Sequence, residues 1–238
     1  MHETDMNAAS STQALFQDQW KIYRKMVDNN FLFHREAYAR LHEILLSDVA
    51  RPFDFLDIAC GDASASASAL VGTQVAHYHG LDFSAAALAL ARDACGRLAC
   101  PASFEEGDFV SSISARSAPV DIVWIGLSLH HLRTAEKGAF MGTIRRLLAP
   151  GGRLLIYENT MPDGEDRDGW LKRWDRQRST WSAYDDLEWN TMRDHVHAAD
   201  FPETDASWRA LGDSSGYGSV LEVYAAPSDL FRMYSFKA

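Results

Sequence analysis

Phe53-Asp54-Phe55-Leu56-Asp57-Ile58-Ala59-Cys60-Gly61-Asp62-Ala63 decides how this chain is read. Its first seven residues are short, apolar and rich in strand formers, bounded by Pro52 and Gly61, which is the pattern of a buried strand. Small residues follow at the strand's end and a helical spacing resumes over 64–71. In open α/β sheets such a sharp turn at a strand's carboxyl end is where ligands bind. Gly61 permits backbone conformations and a close ligand approach that a Cβ would block.

Downstream the texture alternates: strand 75–81, helix 84–98, strands 102–105 and 120–127, helix 134–148, strand 153–157. Strands alternating with helices of this length imply βαβ crossovers and a mostly parallel sheet with helices on both faces. The chain closes with two alternating runs, 218–225 and 230–236, joined by Ala226-Pro227-Ser228-Asp229, which predicts an antiparallel hairpin. Between them, 164–211 is charged and carries Trp170, Trp174, Trp181, Trp189 and Trp208. It reads as two or three helices forming a cap. Upstream, Leu15, Phe16, Trp20, Tyr23 and Val27, then Phe31, Phe33, Tyr38, Leu41, Leu45 and Leu46, recur at helical spacing, so two helices meet near Asn29-Asn30. The expected organisation is a loose tail over 1–12 and one α/β domain over 13–238, with lid helices at 13–48 and the cap at 164–211.

The 238 residues suffice for a buried core, and 47% hydrophobic with 24% charged residues is an ordinary globular balance. Asp and Glu outnumber Lys and Arg by 33 to 23, a net charge of -10. Such a surface repels phosphate backbones and anionic lipid, so neither nucleic acid nor membrane is expected as a partner. No stretch reaches the roughly 18 apolar residues of a membrane span. Cys60, Cys95 and Cys100 show no paired or zinc spacing, which points to a reducing cytoplasm. His195 and His197 share a strand-pair spacing and present no third ligand, so no metal site is expected.

Acids follow the glycine turn. Asp82 ends the second strand, 21 residues beyond Gly61, where a carboxylate can accept from ribose hydroxyls. Asp108 follows the third strand in Gly107-Asp108-Phe109, placed to accept from an exocyclic amine while Phe109 or Phe83 packs on a purine.

Asp57 to Ala63, Leu81-Asp82-Phe83-Ser84, Gly107-Asp108-Phe109, Asp121-Ile122-Val123-Trp124 and Leu148-Ala149-Pro150-Gly151-Gly152-Arg153-Leu154 together resemble the ordered motifs of class I S-adenosylmethionine-dependent methyltransferases, over about 53–158. The resemblance implies a Rossmann-like seven-stranded sheet ending in an antiparallel hairpin, S-adenosylmethionine as cofactor, and a donor site on Asp57, Ala59, Gly61, Asp82, Phe83, Ser84, Asp108, Phe109 and Leu127. Ala63 replaces the family's last motif glycine and is small enough to keep the turn. A nicotinamide-binding oxidoreductase also uses a glycine turn and an acid about 20 residues on. Here the full G-x-G-x-x-G is missing, and Asp62 would repel a pyrophosphate at the helix start while tolerating a cationic sulfonium.

After the fourth strand, Ser128-Leu129-His130-His131-Leu132 puts two imidazoles at the rim where methyl donor and acceptor meet. His130 stands 22 residues before Gly152, and Glu158 six after it. This stretch is similar to plant-type small-molecule O-methyltransferases, which implies His130 as base and Glu158 as its orienting or substrate-contacting partner. Tyr23, Asn30, His34 and Arg35 cluster where the lid helices meet, and Arg35 or His34 is placed to meet the methionine carboxylate. With Tyr184 among the cap tryptophans, a planar small-molecule acceptor is expected, methylated on oxygen or nitrogen by a monomer or homodimer. The alternative is a non-catalytic S-adenosylmethionine-binding or partner-binding protein.

Overall fold

Five strands separated by helices lie side by side in the computed structural model, which describes residues 22–238. The expected tail over 1–12, with Leu15, Phe16 and Trp20, falls outside the described residues. β1 (Phe53–Ile58), β2 (Val75–Asp82), β3 (Ala102–Glu106), β4 (Val120–Gly126) and β5 (Leu148–Met161) are parallel, while β7 (Ser219–Ala225) and β8 (Phe231–Lys237) form the antiparallel hairpin. The order is β3-β2-β1-β4-β5-β8-β7, and the two-residue β6 (Glu203–Thr204) pairs with the end of β5. This is the Rossmann-like sheet the sequence implies.

Helices cover both faces, so the central strands are buried on both sides. The first face carries helical residues 22–28 (α1), α2 (His34–Ser47), α3 (Ser64–Leu70) and α4 (Ala85–Cys95), together with α7 (Arg167–Asp175) and α8 (Asp186–Ala199). The second carries α5 (Phe109–Ala115), α6 (Thr134–Leu147) and α9 (Asp205–Ser214). Trp124, Trp170 and Trp208 are fully buried. Gly212 lets α9 approach the hairpin, since a Cβ there would sit 2.8 Å from Phe236 Cδ1. Among the described residues no helix is long and apolar enough to cross a membrane.

Two differences from the sequence reading matter for the site. β5 runs to Met161, four residues past the expected end at 157, because pairing with β8 continues through Asn159↔Phe231. Glu158 therefore sits inside a strand, fully buried, opposite Arg232. His195 and His197, read as strand-spaced, lie on α8.

Candidate active site

The strand order reverses between β1 and β4, which opens a crevice at their carboxyl ends. At the end of β1 the backbone turns sharply: Ala59, Gly61 and Ala63 have φ of 55°, 54° and 52°. Left-handed conformation costs about 1–2 kcal/mol at a non-glycine residue, and alanine pays the least crowded version of it. A Cβ on Gly61 would meet nothing within 4 Å, so the space before it is open.

Asp82 organises this corner. Its Oδ2 accepts from the Gly61 amide at 2.9 Å and its Oδ1 from the Ser84 amide at 2.9 Å. Ser84 in turn caps α4, accepting from the Ala87 amide. Phe83, 73% exposed, presents an uncovered aromatic face beside them. Asp57 lies beneath, accepting from the Tyr78 hydroxyl at 2.7 Å, and burial pushes its carboxyl up to about 7. Asp62 accepts from Ser64 and pairs with Arg24 of α1 at 3.5 Å. Three carboxylates, small turn residues and an open aromatic face fit S-adenosylmethionine: acids for its cationic end, clearance for close approach, and Phe83 for a purine.

Other expected donor and lid residues are occupied locally. Asp108 caps α5, accepting from the Ser111 amide at 2.9 Å. Phe109 packs edge-on against Phe140 at 5.2 Å, leaving Phe83 as the open ring of the two. Asn30 accepts from the Arg35 amide and donates to Glu36, fixing the start of α2, and the Arg35 guanidinium donates to Asp28 O. His34 is buried and stacked on Tyr38, and burial lowers its pKa to about 4. It is neutral at pH 7 and brings no positive charge to a carboxylate.

The loop after β4 is built around Glu158. Leu127, with φ 56°, donates its amide to Tyr157 O at 2.7 Å and turns the chain into a single 3₁₀ turn, Leu129–His131. Glu158 Oε1 accepts from the Ser128 and Leu129 amides at 2.7 and 2.6 Å, and its Oε2 faces His130 Nδ1 at 2.8 Å. Burial alone would raise the Glu158 carboxyl, but His130 and these amides outweigh it and hold it below the ordinary value. Burial would likewise lower His130; the carboxylates of Asp200 and Glu158 win, and its pKa lies above the usual 6.5.

In front of this pair lies a cavity of about 260 Å³. Tyr23, Met26, Leu32, Leu127, Trp174, Met192 and Phe231 supply apolar and aromatic walls, and His130, His131, Asn159, His195 and Asp200 cluster as its polar groups. Tyr23 lies within electrostatic reach of Asp57, Asp62 and Asp82, so it links the cavity to the donor corner. Of the expected residues, Tyr23, Leu127, His130 and His131 line this space; Glu158 does not, acting from beneath His130. Trp181 and Trp189 pack with Trp174 and Phe31 in the cap instead. Asp200 was not expected. It follows α8, with no local motif, and only the fold carries it to His130.

Strand order and C-terminal hairpin define the class I S-adenosylmethionine-dependent fold. Residues 55–152 match the family model described as a methyltransferase domain, and the chain around them has the class I S-adenosylmethionine-dependent methyltransferase fold. Carboxy-S-adenosyl-L-methionine synthase 1 of Yersinia pseudotuberculosis is 26% identical over 108 residues, 44% of each chain. The chain thus matches less than half the length of that curated relative. An O-methyltransferase family protein from Burkholderia thailandensis superposes with a TM-score of 0.60 at 20% identity, covering 86% of this chain and 56% of that one. Magnesium protoporphyrin IX methyltransferase of Synechocystis, with SAH bound, gives 0.61 at 14% identity over 94% of both chains. At these identities the superpositions speak for the fold.

Proposed function

We propose that the protein methylates a small, planar acceptor at a hydroxyl or ring nitrogen that loses a proton. The observation that carries this is His130: Glu158 accepts its Nδ1 proton, which leaves the Nε2 lone pair toward an apolar cavity. S-adenosylmethionine, when bound, supplies an electrophilic methyl group. Methyl transfer needs alignment and exclusion of water. The cavity walls align a flat acceptor, Nε2 takes its proton, and Glu158 keeps the imidazole oriented and favours the imidazolium that results.

The described part of the expected lid, residues 22–48, serves as a lid and 164–211 as a cap in this reading. The short Lys25–Glu188 pair and the Tyr184 hydroxyl on Ile22 O, which join α1 to the cap, support it. Asp57, Asp82, Phe83 and the 59–63 turn hold the cofactor. The three cysteines are free, which supports a reducing, cytoplasmic setting. The Yersinia relative's name describes a carboxylated product. No Lys or Arg lines the described cavity and Asp200 does, which favours a neutral acceptor over an anionic reagent.

Calorimetry with S-adenosylmethionine and SAH, followed by mass spectrometry on a panel of aromatic hydroxy and amino compounds, tests the proposal. Donor binding with addition of a methyl group to at least one panel member is expected. Binding without turnover on any acceptor would favour a non-catalytic binding protein, and binding of NAD alone would favour an oxidoreductase.

A further inference from the structure

Asp200 Oδ1 is a buried carboxylate oxygen with no hydrogen-bond partner, on a residue that is 3% exposed. Its other oxygen accepts from Asn159 Nδ2 at 2.8 Å, which fixes the carboxylate. Oδ1 then faces His130 Nε2 at 3.8 Å and His131 Nδ1 at 3.7 Å. Both separations are too long for hydrogen bonds. In the neutral form of His130, with its Nδ1 proton given to Glu158, Nε2 and Oδ1 present lone pairs to each other. Electropositive matter belongs in that gap.

We infer that His130, His131 and Asp200 form a binding site for a first-row divalent cation of the zinc class, with a coordination position open to the cavity. The three ligand atoms lie within 4.8 Å of one another. Ligand distances of about 2.0–2.2 Å place tetrahedral ligands roughly 3.4 Å apart, within a few tenths of an ångström of the two separations from Asp200 Oδ1 to the histidines. Two imidazoles and one carboxylate suit Zn²⁺, Fe²⁺ or Mn²⁺ better than Ca²⁺ or Mg²⁺. A ligating histidine usually gives its other N–H to a carboxylate, and Glu158 occupies that outer position. The competing contact, His131 Nδ1 to Ala199 O at 3.4 Å, is long and weak. His195, its ring 5.5 Å from that of His131, adds an imidazole beside the site.

This inference stands on side-chain geometry and does not depend on methyl transfer. Its consequence for the proposed reaction is exclusive: one Nε2 lone pair holds a cation or takes a proton, not both.

Untagged protein, freed of metal with a chelator, is titrated calorimetrically with ZnCl₂ and spectroscopically with Co²⁺. One equivalent should bind, with affinity reduced about tenfold or more in His131→Ala and in Asp200→Asn. His131 is exposed, so His131→Ala should fold, and circular dichroism with thermal melting checks both variants. The stacked histidine pair on β2, His77 exposed and His79 half-buried, is the control: removing both should leave binding intact. No binding to wild type, full binding in both cluster variants, or loss with the β2 pair would each overturn the assignment.

Discussion

Glu158 grips His130 twice, through Nδ1 at 2.8 Å and through the backbone amide at 3.3 Å, from a position inside β5 with no solvent exposure. One buried carboxylate thus fixes both the path of the loop and the orientation of the ring.

Glu158→Gln keeps the shape and turns one acceptor into a donor facing other donors. Loss of about 1–3 kcal/mol in unfolding free energy is expected, together with a fall in kcat smaller than that from removing His130. Urea denaturation and steady-state kinetics on the same preparation check this. An unchanged denaturation midpoint would show that the carboxylate does not organise the loop.

Asp82 ties the glycine turn to the start of α4, so Asp82→Ala should weaken S-adenosylmethionine binding by roughly 1–3 kcal/mol. Part of that loss comes from loosening the turn rather than from the ligand's own bonds. Gly61→Val should abolish binding, because a β-branched residue resists φ of +54° and its side chain fills the open space. Calorimetry on folded variants decides, and full affinity in Asp82→Ala would remove that acid from the donor site.

These assignments show what was legible beforehand. Strand periodicity and the glycine turn located β1, β2, β4 and the hairpin within a residue or two, since those signals are local. Its place at the second strand's end pointed to Asp82, and the motif resemblance to His130 and Glu158. Helix α5 was missed because Phe109–Ala115 is short and serine-rich with a single buried residue, Ile113. Asp108 illustrates the limit of type-based reading: an acid after a strand fits a ligand contact and a helix cap equally well, and its side chain caps α5. Asp200 and the cavity walls depend on α7 and α8 folding back over the sheet, which no single stretch encodes.

Asp57 carries a pH signature. Burial holds its carboxyl near 7, so at pH 6 it is largely protonated in the free protein. A cationic ligand beside it favours the ionised form and releases the proton. S-adenosylmethionine affinity should therefore rise, by about two- to tenfold, between pH 6 and 8. Asp57→Asn should lose that slope. Isothermal titration in buffers of different ionisation enthalpy reads the released proton directly.

His34, at the start of α2, is an acid-labile element. Its folded pKa, near 4, lies below the unfolded value of about 6.5, so the unfolded chain binds the proton first as pH falls. The stability penalty is absent above pH 6.5 and grows to about 3 kcal/mol as pH approaches 4. His130 works in the opposite sense, its contribution being lost as pH rises through its raised folded value. Comparison with His34→Phe isolates the first effect: the variant should lose less stability than wild type between pH 6.5 and 5 in urea denaturation. Parallel curves would mean that water or a rearranged ring solvates the His34 imidazolium.

The base assignment makes the sharpest demand on His130. Asp200 and Glu158 hold its pKa above 6.5 against the effect of burial, so Nε2 becomes free to accept a proton only above that value. With chelator present to keep the lone pair clear, kcat should rise with pH through an acid limb displaced upward from 6.5. His130→Gln should lower kcat by about 100- to 10,000-fold and remove the limb, leaving S-adenosylmethionine affinity near wild type because the ring faces the acceptor. Asp200→Asn removes one of the two carboxylates that raise the pKa, so its limb should move to lower pH while kcat on the plateau changes less. If wild type and His130→Gln share the same acid limb at similar rates, His130 is not the base, and His131 or a group on the acceptor takes that role.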